Sequence, residues 1–131
     1  PPAPAPIYTA ATFTRDFVGT CPVGTRVRWR QFIADVDTPS DSSIQFRAQT
    51  ADTVAAIPAA TSYNVHLAQG ATPDTPVGGV MIDANTPPNI IPARTSRSVL
   101  RISADFTPAT GGLLTPSLYS WTQRYECEAS E

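Results

Sequence analysis

The chain contains no lysine: all nine basic residues are arginines, set against 11 acidic residues for a net charge of −2. Lysine-dependent Schiff-base and phosphate-loop chemistry is therefore excluded. The near balance of charge leaves no broad field to attract nucleic acid or an anionic membrane. Histidine occurs once, as His66, and with only two cysteines the chain cannot assemble a zinc ligand set of the usual kind. No Gly-x-Ser-x-Gly elbow and no glycine-rich dinucleotide or phosphate loop occurs. No run approaches the roughly 20 apolar residues that span a bilayer, and no charged stretch followed by an apolar one opens the sequence. Paired carboxylates remain as potential glycosidase parts, but the short loops leave little room for a cleft. The expectation is a non-enzyme that neither inserts into membranes nor binds nucleic acid.

What the chain does have is proline, 14 residues of it, and two cysteines near opposite ends of the strand-rich region. Cys21 and Cys127 are expected to pair within one chain, which implies an oxidising, extracellular compartment. Pro1 to Pro6, written PPAPAP, reads as an extended polyproline II arm, and the 131 residues otherwise suffice for one domain over 7–131. The sequence does not begin with Met, which suggests a processed chain or an excised module.

From Ile7 onward, short runs of alternating apolar and polar residues are separated by proline and glycine turns. The first predicted strand, Ile7 to Val18, places Phe13 and Phe17 on one face. In the second, Val27, Trp29 and Ile33 share the buried face and Arg26, Arg28 and Arg30 the other. Asp35 to Ser43 reads as a loop, followed by a strand with Ile44, Phe46 and Ala48 facing in. Asp52 to Ile57 fits one helical turn stopped by Pro58. Tyr63, Val65 and Leu67, then a short stretch near Val80 to Ile82, continue the pattern. Leu100, Ile102, Ala104 and Phe106 make a strong apolar face, and Leu118 to Cys127 sets Tyr119, Trp121 and Tyr125 on one parity. About seven to eight strands without a repeat predict an all-β antiparallel sandwich of immunoglobulin-like or jelly-roll kind.

Three constellations are candidate sites. Asp35, Asp37 and Asp41 fall within one predicted loop and offer oxygen ligands for Ca²⁺, although Ser40 and Phe46 stand where an EF-hand needs Gly and Glu. Arg26, Arg28 and Arg30, joined by Gln45, Arg47 and Gln49 from a strand expected to pair with theirs, would form a flat polar face suited to an acidic glycan or a protein. The solvent face of a sandwich is the plainer explanation. Tyr119, Trp121 and Tyr125 fit either a sugar-stacking platform or the core. No other cofactor is implied.

The Cys21-Pro22-x-Gly24-Thr25 turn followed by Trp29, and Asp41-Ser42-Ser43-Ile44-x-Phe46-x-x-Gln49-Thr50-Ala51, resemble β-sandwich modules of bacterial surface and pilus-associated, adhesin-like proteins. The ending, Leu100-Arg101-Ile102-Ser103, then Thr115-Pro116-Ser117-Leu118, Trp121 and Tyr125-x-Cys127, resembles them too, and related endings occur in phage-tail jelly rolls. The resemblance implies a non-catalytic extracellular role in adhesion or filament assembly and supplies no site residues. Expected partners are copies of the chain or other surface-assembly proteins. In that reading Pro1, Pro2, Pro4, Pro6, Ile7 and Tyr8 form the arm that docks on a neighbour. A carbohydrate-binding module and a phage tail or capsid decoration domain are the alternatives.

Overall fold

A computed structural model describes residues 7–86 and 88–129. Seven strands form: β1 (Ala11–Val18), β2 (Thr25–Asp37), β3 (Ser43–Ala51), β4 (Tyr63–Gln69), β5 (Val77–Met81), β6 (Val99–Thr107) and β7 (Ser117–Ala129). They make two antiparallel sheets, one ordered β1-β6-β3-β4 and the other β5-β2-β7. The all-β sandwich expected from the alternation is thus present, with four strands facing three. Only β3 and β4 are neighbours both in sequence and in a sheet. The other connections cross between the layers.

The core lies where alternation is strictest. On β3, Ile44, Phe46 and Ala48 are buried, and on β6, Leu100, Ile102 and Ala104 face the same way. Both strands are central in their sheet, flanked on each side by a partner. The opposing layer contributes Trp29, Phe32, Ala34 and Val36 from β2. The Phe32 and Phe46 rings meet at 4.9 Å across the interior. The indole of Trp29, fully enclosed, packs edge-on to Tyr125 at 5.4 Å and donates from Nε1 to the carbonyl of Arg97 at 2.7 Å. A large aromatic ring whose one polar atom is satisfied contributes burial without an unpaired donor.

Bulges overturn several expected parities. Between Trp29 and Phe32, β2 uses one more residue than its partner β7, so the buried series runs Val27, Trp29, Phe32, Ala34, Val36. Ile33, expected inside with Trp29, is displaced to the other face and only half buried. An extra residue in β4 opposite Phe46 and Arg47 likewise leaves Leu67 exposed, while Val65 and Ala68 are buried. On β7, Tyr119 is the extra residue between the Asp35–Ser120 and Val36–Leu118 pairs. Each bulge moves every later side chain to the opposite face. Gly78 serves the bulge of β5: its φ is +90°, and a Cβ there would lie 2.9 Å from the Phe32 carbonyl oxygen. Only glycine tolerates both conditions.

Three boundaries also shift. Residues 7–10 precede β1 rather than belonging to it. Strand β2 continues through Asp37, where a loop was expected from Asp35. The helical turn is a 3-10 segment, Val54–Ala59, that includes Pro58 instead of stopping before it. Its first turn is capped by Thr53, whose Oγ1 accepts from the Ala56 N–H at 3.2 Å. The cap satisfies a donor that the short helix cannot, and Ile57 then seals the core from that side.

Cys21 and Cys127 form the expected disulfide, across 106 residues of sequence. The bridge ties the β1–β2 connection to the last strand, beside the pairing of Val27 with Cys127.

Candidate interaction surface

The polar face anticipated from two strands is divided between two sheets. β2 pairs with β5 and β7, and β3 with β4 and β6, so Arg26, Arg28 and Arg30 do not lie beside Gln45, Arg47 and Gln49. The arginines of β2 instead face glutamates of β7. Arg26 pairs with Glu128, Arg28 with Glu126 and, at 3.2 Å, with Glu128, and Arg30 with Glu126 at 3.2 Å. Glu128 also accepts from Asn85 Nδ2 at 3.1 Å. On the other sheet Arg47 makes a two-pronged contact with Asp105, at 2.5 and 3.0 Å, and Gln49 Nε2 donates to the carbonyls of Ile57 and Ala60. Gln45 Nε2 donates to the carbonyls of Phe46 and His66. Guanidinium forks already occupied by carboxylates are poorly placed to take an acidic ligand as well.

The acidic triad is divided too. Asp35 and Asp37 are strand residues, and the Asp35 carboxylate accepts from the Asp74 N–H at 2.9 Å. Asp41 accepts from both the N–H and the hydroxyl of Thr110 on another loop. Among the described residues, no three His, Cys, Asp or Glu side chains gather into a metal-holding group. The Ca²⁺ expectation at Asp35, Asp37 and Asp41 is therefore corrected.

Three carboxylates are held below their ordinary pKa. For Asp16 the cause is the hydrogen bond from Arg101, for Asp105 the bond from Arg47 followed by that from Thr12, and for Asp41 the Thr110 hydroxyl and N–H. A carboxyl whose folded pKa lies below its unfolded value of about 3.9 stabilises the fold above that pH and ceases to do so as pH falls through the folded value. The urea midpoint should show no loss from these groups between pH 7 and pH 5, then drop below about pH 4. Asp105→Asn should flatten part of that drop. A drop unchanged in slope would contradict the assignment, and the Arg47–Asp105 and Arg101–Asp16 ion pairs are each worth only on the order of 0.5 kcal/mol.

One polar cluster had no counterpart in the sequence reading. Asp83 is fully buried and accepts from Ser96 Oγ at 2.8 Å and from the Asn85 N–H at 3.0 Å, while Ser96 Oγ accepts from the Trp29 N–H at 3.3 Å. It pins the long β5–β6 connection against β2. Its members are bonded to one another, so the cluster fastens the connection in place.

The open feature is the side of the sandwich where β1 and β7 form the edges. Because four strands face three, no strand among the described residues lies opposite the inner face of β1. Its residues Phe13, Arg15 and Phe17 pair with Ala104, Ile102 and Leu100, all of which point inward, yet Phe13 is 54% exposed. The Arg15 guanidinium lies 4.7 Å over the Phe17 ring. The outer face of β1 is pinned by Thr12 donating to Asp105 at 2.8 Å and by Arg101 gripping Asp16 at 2.7 and 3.1 Å. Between the two edges lies a groove of about 400 Å³, with Phe13 and Phe106 on one wall and Leu118, Tyr119 and Trp121 on the other. The Phe13 and Phe106 rings meet at 5.1 Å. Trp121 is half buried with its ring 6.3 Å from Phe46, whereas Tyr119, on its bulge, is 57% exposed. Tyr125, expected to share their platform, meets Trp29 edge-on instead, and its hydroxyl accepts from the Thr20 N–H at 3.3 Å.

Ile7 and Tyr8, the described part of the predicted arm, are both more than half exposed. The Tyr8 N–H donates to the Gly112 carbonyl at 2.8 Å. Pro1, Pro2, Pro4 and Pro6 lie outside the described residues. The lone His66 is a half-buried residue of β4.

These features define an all-β sandwich with one disulfide, and among the described residues no helix is long and apolar enough to cross a membrane. Searches against family models, curated proteins and solved structures find no match to this chain.

Proposed function

We propose that this chain is a non-catalytic, extracellular structural or adhesive subunit that assembles through the open β1–β7 side of its sandwich. The observation that carries this reading is β1, an edge strand of eight residues of which all but Phe17 are exposed. An edge strand with free backbone groups, beside an apolar groove, is a template for association unless something covers it. The disulfide favours an oxidising compartment. Assembly should therefore protect backbone amides of β1 and of Ser117 to Trp121 from hydrogen exchange at high protein concentration, relative to dilute protein. Equal exchange at both concentrations would argue against it.

A second reading, a carbohydrate-binding module, draws on Tyr119 and Trp121 lining the open groove. Aromatic faces at a groove stack on sugar rings as readily as on a protein partner. Saturable binding on a glycan array, lost in Tyr119→Ala, would favour that reading over assembly.

A further inference from the structure

We propose that the groove between β1 and β7 is a receptor for the proline-rich segment 1–6 of a second copy of this chain. The proposal rests on the assembly reading and names its acceptor and its donor.

The groove has the chemistry that recognises polyproline. Four of its side chains are aromatic, Phe13 and Phe106 facing Tyr119 and Trp121, and no charged residue lines it. Proline-rich segments bind such surfaces because the extended left-handed helix is already formed, so little conformational freedom is lost, and the flat rings pack on the pyrrolidines. Tyr and Trp also carry donors for the carbonyls of a segment that has few N–H groups of its own. The sequence supplies a matching ligand: PPAPAP contains four prolines in six uncharged residues, with Pro1 and Pro4 one helical turn apart on one face. At about 3.1 Å per residue the segment spans roughly 19 Å, longer than the four-residue wall from Leu118 to Trp121, which measures about 13 Å at 3.3 Å per strand residue.

Strand addition, the other way to fill an edge, suits this segment poorly. Its prolines lack the N–H groups that a sheet ladder requires. The donor is a second copy because residues 7 and 8 are fastened to the β6–β7 loop, outside the residues that line the groove. The Tyr8 N–H is tied to the Gly112 carbonyl and Ile7 packs against Gly112. Reaching its own groove would require segment 1–6 to double back along residues 9–13, a reversal that a proline-dense stretch resists.

Two defective full-length chains test the idea. One carries Pro1, Pro2, Pro4 and Pro6 each changed to Gly and lacks a donor; the other carries Phe13→Ser with Tyr119→Ser and lacks an acceptor. Both groove positions are more than half exposed, so that variant keeps its core. A far-ultraviolet circular dichroism spectrum and a urea midpoint like those of the parent chain verify this. The parent chain should associate, and each variant alone should need at least tenfold higher concentration to do so. Mixing the two variants should restore a one-to-one heterodimer. If the parent associates and neither variant is weakened, this proposal fails and the assembly reading stands. If both variants are weakened but the mixture does not recover, the segment acts within its own chain and the second-copy occupant is overturned. A parent chain that stays monomeric overturns the assembly reading, and this proposal with it.

Discussion

Trp29→Ala should lower the free energy of unfolding by about 3–5 kcal/mol, the range for emptying a fully enclosed tryptophan site. Trp29 is 0% exposed, sits at the centre of β2 and touches the second layer and the 82–98 connection alike. Removing it deletes the largest ring in the core, the edge-on contact with Tyr125 and the shorter of two hydrogen bonds to the Arg97 carbonyl, the other coming from Thr50 Oγ1 at 3.4 Å. Trp29→Phe, which retains part of the volume but not the N–H, should lose less. Chemical denaturation of both variants separates the two contributions. A loss below about 1 kcal/mol for Trp29→Ala would mean that the site is not enclosed as described.

Replacing Cys21 and Cys127 together with serine should lower stability by a similar amount, about 4–5 kcal/mol on the chain-entropy estimate for a loop of this length. The bridge spans a sequence separation of 106 that holds β2 to β6 whole and most of β7, with β1 alone outside it. Without the bridge, the unfolded chain regains the freedom of nearly the entire domain. The folded state also loses the tie between the β1–β2 connection and the end of β7. Five of the six strand connections cross between layers, so few contacts are local, and refolding of the serine variant should be slower than that of the bridged chain. A denaturation midpoint unchanged by the double substitution would show that β2 and β7 hold the ends together by themselves.

The reading of the sequence worked where strands are straight and paired on both sides. Ile44, Phe46 and Ala48, and Leu100, Ile102 and Ala104, alternate because each pair of neighbours holds the strand to a regular pleat. Alternation failed at Ile33, Leu67 and Tyr119, where a single inserted residue reverses the faces. A bulge is decided by the partner strand, and nothing in Arg30-Gln31 or Tyr119 announces it locally. The arginines of β2 were visible as a row, but their neutralisation by Glu126 and Glu128 depends on which strand lies beside them. A signal did exist: a Cys21–Cys127 bridge brings β7 close to β2, and the glutamates alternate with Tyr125 and Cys127 in register with Arg28 and Arg26. The open groove was the least legible feature. It arises from the mismatch of four strands against three, a property of topology that no window of sequence contains. Phe13 looks like a core residue in its strand, and only the missing strand opposite it leaves it exposed.

The acidic triad illustrates the converse. Three aspartates within seven positions suggest a shared cation, yet two of them sit on a strand that extends further than turn-forming residues imply. Asp35 then spends its carboxylate on the backbone of Asp74, fastening β2 to the β4–β5 loop, and Asp41 spends its own on Thr110, fastening one loop to another. Carboxylates that accept N–H and O–H bonds in this way organise turns without a metal.

The proposed association runs through the open β1–β7 side of the sandwich. Its most direct test is the mass of the full chain in solution by multi-angle light scattering, over a wide range of concentration. The mass should rise above the 13.9 kDa of one chain as concentration increases and be unaltered by reductant at concentrations too mild to unfold the domain, since the cysteines pair within the chain. A constant mass of 13.9 kDa at every concentration would contradict it.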